Sequence, residues 1–337
     1  MESSQDVVRV DDPQIFSSLT EPYRRELQLH CYRMLGSVED AEDLVQETFL
    51  RAWKRRATYQ GRATLRAWLY KIATNACLDA LKGRSRRSLP FAVSLENDPT
   101  QLPAPPVDER IWIEPYPTQQ LMDLSSSPEA RVALRESVRF AFLVALHGLP
   151  PRQRAVLILR DVLDWQVNEI AELLDTSVSA VNSVLHRARA TLTRTYESAE
   201  PEQMGGPVAD EAMRQLLGRY VQAWETSDVA ALTALLRQDA LLTMPPSPSW
   251  YRGPFAIGAI VGAMAFSGDS ATRWRMLLTE ANAQSAFAFY QLDKQRGVYQ
   301  AFGLQVLSIE GNRITAIVAF VEPAIVERFG LSLELSQ

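Results

Sequence analysis

Residues 148–192 read GLPPRQRAVLILRDVLDWQVNEIAELLDTSVSAVNSVLHRARATL, and their apolar spacing is that of successive short helices. Val156, Leu159, Val162 and Leu163 recur at helical spacing, followed by Ile170, Leu173 and Leu174, and then by Val181, Val184, Leu185 and Ala188. The prolines at 150 and 151 start the first helix. Asp175-Thr176-Ser177 separates the last two, where a Ser or Thr hydroxyl accepts an orphan N–H of the next helix's first turn. This is the layout of a helix-turn-helix, whose second helix enters the major groove of DNA. A plain three-helix bundle has the same periodicity, so the pattern alone leaves both readings open.

The chain upstream narrows the choice. GSVEDAEDLVQETFLRAWKR (Gly36–Arg55) and RAWLYKIATNACLDALKGRSRR (Arg66–Arg87) resemble the promoter-melting domain of bacterial sigma factors, and residues 148–192 resemble the last domain of the same proteins. In this order the two segments resemble the extracytoplasmic-function (ECF) group of the sigma-70 family, over about three-fifths of the chain. LGRYVQAWETSDVAALTALLRQDA (Leu217–Ala240) and MPPSPSWYRG (Met244–Gly253) resemble a SnoaL-like domain. The expected architecture is multidomain. Two all-α domains, 1–87 and 128–198, are joined by a Pro-rich acidic linker at 88–127. A second linker at 199–207 leads to an α+β SnoaL-like cone at 208–337.

At 337 residues, two or three domains are expected. The net charge of −5 is unevenly spread: +3 in residues 1–90, −5 in 91–127, +1 in 128–198 and −4 in 199–337. Neither DNA-candidate segment is strongly basic, so the chain alone is expected to hold duplex weakly, because affinity comes largely from phosphate neutralisation. The resemblance accounts for this, since the polymerase provides much of the grip. Cys31 and Cys77 lack metal-site spacing and read as buried free thiols. The N-terminal MESSQDVVRVDDP has no signal-peptide core, and no apolar run is long enough to cross a bilayer. A cytoplasmic protein without metal, cofactor, catalytic group or membrane partner is expected.

Helices are expected at about 22–35 (stopped by Gly36), 38–57 and 65–84, with a polar loop at 58–63. Seven prolines between 90 and 117 argue against helix and sheet in the linker, although Trp112 and Tyr116 are unusual for a disordered segment. Ser127-Pro128 starts a helix reaching about His147. In the last segment, helices near 208–226, 229–236 and 254–266 surround a strand near 241–244. Long strands then follow, with Glu310-Gly311-Asn312 as a hairpin signal.

Asp40, Asp43, Gln46, Glu47 and Leu50 fall at i, i+3 and i+4 spacings beside the apolar Leu44 and Phe49. A solvated helix face is the bland reading of such a row. The resemblance instead implies docking on the β′ clamp helices of core RNA polymerase, with the β flap as a further polymerase partner. Opening a duplex calls for a pocket for a flipped base and aromatics that stack on it. The Tyr59-Gln60-Gly61-Arg62 loop and the face carrying Trp68, Lys71, Asn75 and Asp79 are the minus-10 candidates, with Trp68 readable equally as core. For the minus-35 element, the candidates are Ser177, Ser179, Ala180, Asn182, Ser183, His186 and Arg187, with Arg189 nearer the phosphates. Arg and Asn are the side chains that make bidentate contacts to G and A.

The C-terminal segment contains no histidine and no convincing acid/base pair, although Asp239 and Asp269 are present. Trp224, Met244, Trp250 and Tyr290 are expected to line a pocket for a small molecule or for another part of the chain. The leading expectation is a sigma factor, regulated by its fused cone, that recognises promoter DNA and carries out no covalent chemistry. A ligand-sensing helix-turn-helix regulator is the alternative, though it leaves Gly36–Arg87 unexplained. A cyclase or isomerase fused to a DNA-binding module is the third.

Overall fold

The computed structural model describes residues 12–59, 61, 63–84, 87–92, 94–107, 111–124, 128–198, 210–267 and 273–336. The chain divides into two compact units. The first takes residues up to Arg87, Ile113–Pro115 and Gln120–Glu200; the second takes Ser88–Trp112, Tyr116–Gln119 and everything from Pro201.

The first unit is all helical. Helix α1 (Pro13–Thr20) was not expected from the sequence. Pro13 sits in its first turn, and the Asp12 carboxylate accepts the N–H of Gln14 at 2.7 Å. Helix α2 (Arg24–Leu35) ends at Gly36, whose φ of +73° is the left-handed cap the sequence suggested. Ser37 caps α3 (Val38–Arg55) by accepting the N–H of Asp40, and Thr64 caps α4 (Leu65–Ala80) in the same way. Leu27, Met34, Val45, Leu69 and Ile72 are buried, as are both free cysteines; burial pushes the Cys77 thiol up.

The single helix expected from 128 to 147 is two, α5 (Pro128–Glu136) and α6 (Phe140–His147). The Ser137 hydroxyl turns back onto the Leu134 carbonyl at the break. Its expected serine cap, Ser127, lies outside the described residues. Helix α7 (Pro151–Leu157) runs into a π-turn at Ile158–Val162. Then come α8 (Val167–Leu173) and α9 (Val178–Ser198). Ile170, Leu173, Val181, Leu185 and Ala188, the periodic positions, are buried. Burying each large aliphatic side chain is worth about 1.5–3 kcal/mol, which holds this short module together.

The second unit carries α10 (Asp210–Glu225), α11 (Val229–Ala234) and α12 (Gly253–Met264) against one sheet, with a short α13 (Ala324–Arg328) near the end. The strands are β1 (Leu236–Thr243), β2 (Trp250–Arg252), β3 (Trp274–Ala281), β4 (Gln284–Asp293), β5 (Val298–Glu310), β6 (Arg313–Phe320) and β7 (Glu334–Ser336). Their order is β2-β1-β6-β5-β4-β3, with β7 paired to β5; β1 and β6 are parallel and the remaining pairs antiparallel. Glu310 pairs with Arg313 across Gly311-Asn312, so the expected hairpin forms there. Tyr220, Trp224, Leu232, Ile257, Phe287 and Phe289 form part of a single core between helices and sheet. This is the expected α+β cone.

Of the segment read as an extended or disordered linker, Ser88–Trp112 and Tyr116–Gln119 are instead part of the cone's unit. Trp112 and Tyr116 are 3% and 0% exposed. The Trp112 indole donates to Pro246 O at 3.0 Å; Tyr116 N–H donates to the Asn282 side-chain Oδ1 at 2.8 Å, and Tyr116 O accepts the Asn282 N–H. Ser94, Asn97, Ala104 and Val107 are likewise bonded to residues 246–250. Proline removes backbone donors, but some of the remaining groups find partners on the loop before β2, as Val107 N–H does on Pro246 O and Ala104 N–H on Ser249 Oγ. Short 3₁₀ turns form at Pro90–Ala92 and Thr118–Leu124, where no helix was expected.

Candidate nucleic-acid and polymerase interface

Along α3, Asp43, Gln46 and Leu50 are exposed, while Leu44, Glu47 and Phe49 are half-buried. Phe49 and Leu50 line an open groove of about 450 Å³ with Phe16, Gln46 and Trp53. The Phe16 and Trp53 rings lie 5.3 Å apart, and the Arg24 guanidinium sits 4.9 Å over Phe49. Sequence reasoning missed Pro13, Phe16 and Trp53; the Asp12-Pro13 helix start was the signal available. Two acids of the row have partners within the chain. Asp40 binds Arg84 at 3.0 Å and Arg87 at 2.8 Å. Arg51 binds Glu47 at 2.8 Å and holds its carboxyl below the usual range. Asp43 carries the exposed charge of the face, and Asp40 instead ties down the basic stretch after α4.

The minus-10 candidates converge in part. Tyr59 donates to Ala63 O, and its ring lies 5.2 Å from Trp68, which is half-buried and so belongs wholly to neither core nor surface. Gln60 and Arg62 lie outside the described residues, and Gly61 has φ +67°. On α4, Asn75 and Asp79 are exposed. Asp79 is bound to Lys82 at 2.7 Å, which lowers its pKa. Lys71, on the same face, is bound to Asp175 of the helix-turn-helix at 2.6 Å.

On α9, Ser177 caps the helix through Ala180 N–H at 3.1 Å. Ser179, Asn182, Ser183, His186 and Arg187 are exposed along one side, and Ala180 is half-buried. Arg189 is also exposed but is bound through two nitrogens to Asp161, at 3.0 and 2.5 Å. Arg187, in the third turn of the helix, is an exposed guanidinium on the same side as Asn182 and Ser183.

In the cone, a cavity of about 170 Å³ is lined by Trp224, Met244, Trp274, Phe289 and Phe302, among others, with Arg273, Gln291 and Gln305 as its polar groups. Trp224 and Met244, two of the four residues expected at a pocket, are in this lining. Trp250 and Tyr290 are not in the lining. The Trp250 indole donates to Ser94 O under the docked linker, and Tyr290 donates to Ser332 O. Both are instead used as anchors for neighbouring chain. Asp239, the acid a cyclase would need, is on β1; it is exposed, bound to Arg237 and outside the cavity lining. Asp269 lies outside the described residues. Among the described residues there is no His/Cys/Asp/Glu cluster able to hold a metal, and no helix long and apolar enough to cross a membrane.

Comparison with known proteins identifies the family. Residues 19–87 match the family model for sigma-70 region 2, and residues 139–192 match that for sigma-70 region 4. The chain is 44% identical to the ECF RNA polymerase sigma factor SigG of Mycobacterium tuberculosis over 322 residues, 94% of this chain and 84% of the relative. The chain belongs to the ECF RNA polymerase sigma factors. It is also 30% identical to SigJ of the same organism over 296 residues, 88% of this chain and 83% of that one. The crystal structure of SigJ aligns with a TM-score of 0.58 at 23% identity, covering 94% of this chain and 99% of that one, and so shares the fold. An ECF sigma factor recognises promoters and initiates transcription with RNA polymerase, and here its two helical regions are followed by a SnoaL-like cone.

Proposed function

We propose that this sigma factor docks on core polymerase through the α3 groove and its exposed Asp43, Gln46 and Leu50. In this reading it captures the melted minus-10 strand with Tyr59, Gly61, Trp68, Lys71 and Asn75, and reads the minus-35 element through Asn182, Ser183, His186 and Arg187. The observation that carries it is the pairing of an exposed reading side on α9 with a separate, mixed apolar and acidic groove on α3. Each suits a different partner: base edges for one, a basic protein surface for the other. Asp43→Arg should cut capture of purified core at least tenfold. Arg187→Ala should cost about 1–3 kcal/mol of minus-35 discrimination and leave core capture intact. Wild-type capture by Asp43→Arg, or an unchanged minus-35 preference in Arg187→Ala, refutes the corresponding role.

The cone acts in this reading as the controlling domain. It holds much of the linker between regions 2 and 4, so its state sets how freely that linker extends. Its cavity favours a small apolar molecule carrying an oxygen acceptor. The walls are aromatic, Trp224 Nε1 is buried without a hydrogen-bond partner, and Arg273 and Gln305 supply further N–H groups. A ligand can shift activity only by binding the two linker states unequally.

A further inference from the structure

The polar groups around the cone cavity are all donors, and one of them is charged. Among the described residues of the lining, Arg273 is the one ionisable side chain. Met264 and Val321 are exposed and Arg273 and Gln291 half-buried, which places the mouth there, whereas Trp224 and Gln305 are buried at the base. The Arg273 guanidinium donates to the Gln291 side-chain oxygen and lies 5.7 Å from the Trp274 ring. These neighbours satisfy part of a five-donor group and leave its charge without a counter-ion among the described residues.

At the base, Gln305 is 1% exposed, and its side-chain oxygen accepts the Tyr220 hydroxyl at 2.6 Å. Burial pushes the Tyr220 phenol up, so it stays protonated and keeps donating. With its oxygen taken, Gln305 presents amide N–H groups to the cavity it lines. The Trp224 indole N–H, in the same lining, is buried without a partner. An unpaired buried donor is costly, and an oxygen brought in by an occupant removes the cost.

We propose that this cavity binds a small apolar monocarboxylate, with the acid group on Arg273 at the mouth and the hydrocarbon body between the aromatic walls. The inference rests on the reading of the cavity as a ligand site and adds the ligand's charge. A carboxylate accepts through both oxygens and pairs with a guanidinium in a charge-assisted, bidentate geometry. One cation in an otherwise uncharged lining balances one negative charge. A phosphate ester carries about two and would bring excess charge into an apolar site. The size agrees. A cavity of about 150 Å³ takes benzene, so the space here, about 170 Å³, suits one ring or a chain of about six to eight carbons. A keto or ether oxygen at the far end of such an acid would meet the Trp224 and Gln305 donors.

The test is made on the full-length protein without polymerase, at neutral pH, by isothermal titration with phenylacetate, 4-methoxyphenylacetate and octanoate, each beside its primary amide. At least one acid should bind one to one and at least tenfold more tightly than its amide. Arg273→Gln should remove that preference while the amide binds as before. Arg273→Lys, which keeps the cation but not the planar fork, should retain part of it. Unfolding midpoints matching wild type show that the variants are folded, and the comparison of acid with amide on wild-type protein stands without them. Acids that bind no better than their amides, or that bind Arg273→Gln as tightly as wild type, overturn the proposal. Amides that bind where the acids do not would overturn it while leaving the oxygen-acceptor reading of the cavity in place. Absence of binding by every probe overturns both.

Discussion

Two buried histidines make the helical unit sensitive to acid. His30 bonds Thr74 at 2.9 Å, and burial holds its pKa down to about 3. Burial, and then the neighbouring Arg154 cation, hold His147 well below its usual value. In the unfolded chain both titrate near 6.5. The folded state therefore refuses protons that the unfolded state accepts. This stabilisation is complete above about pH 6.5 and is lost as pH falls, with a limiting slope of about 1.4 kcal/mol per pH unit for each histidine. Urea unfolding followed from pH 7.5 to 5 should show the midpoint falling with acidification; a flat or rising midpoint would contradict the burial described. Neither role was visible in the sequence, where both residues sit among helical positions with nothing to mark them. Asp40 was equally opaque: its spacing put it in the docking row, but its arginine partners lie 44 and 47 residues away.

Elements were easier to read than the contacts between them. Gly36 and Ser177 mark helix ends by local chemistry, and each does so in the structure; Ser37 and Thr64 cap their helices in the same way without having been singled out. Replacing Ser37 by Ala should cost about 1 kcal/mol, read as a lower urea midpoint, and an unchanged midpoint would mean that the Asp40 N–H finds another acceptor. The π-turn at Ile158–Val162 was not legible because it keeps the apolar period of a helix while changing its hydrogen bonding, with Leu163 N–H reaching Ile158 O. In the cone, large aromatics gave the core but not its surface. Trp224 faces the cavity, whereas Trp250 on the edge strand β2 is covered by the linker, and ring size does not distinguish these sites. The exposed side of α9 was legible because exposure follows directly from helical period once the core positions are known.

At the scale of the molecule, the organisation into two helical regions and a cone was carried by motifs, and the docking of the linker was not. Proline density argued correctly against regular structure but was silent on tertiary contacts. Trp112 and Tyr116 were the clue, since free chain rarely carries such rings. Trp112→Ala should cost about 3–5 kcal/mol of local stability and expose residues 88–112 to protease in the full-length protein; unchanged resistance would show that the docked linker does not depend on this ring. Cutting the chain after residue 206 is a blunter experiment, because it also removes the bed on which those residues lie. The account as a whole turns on one property, that this chain makes core polymerase promoter-specific. In vitro transcription with purified core on a promoter-bearing template, with permanganate mapping of unpaired thymines, tests it directly. The account predicts a discrete transcript and reactive thymines around −10 only when the protein is present. Polymerase that neither binds the protein nor opens any template in its presence would contradict it.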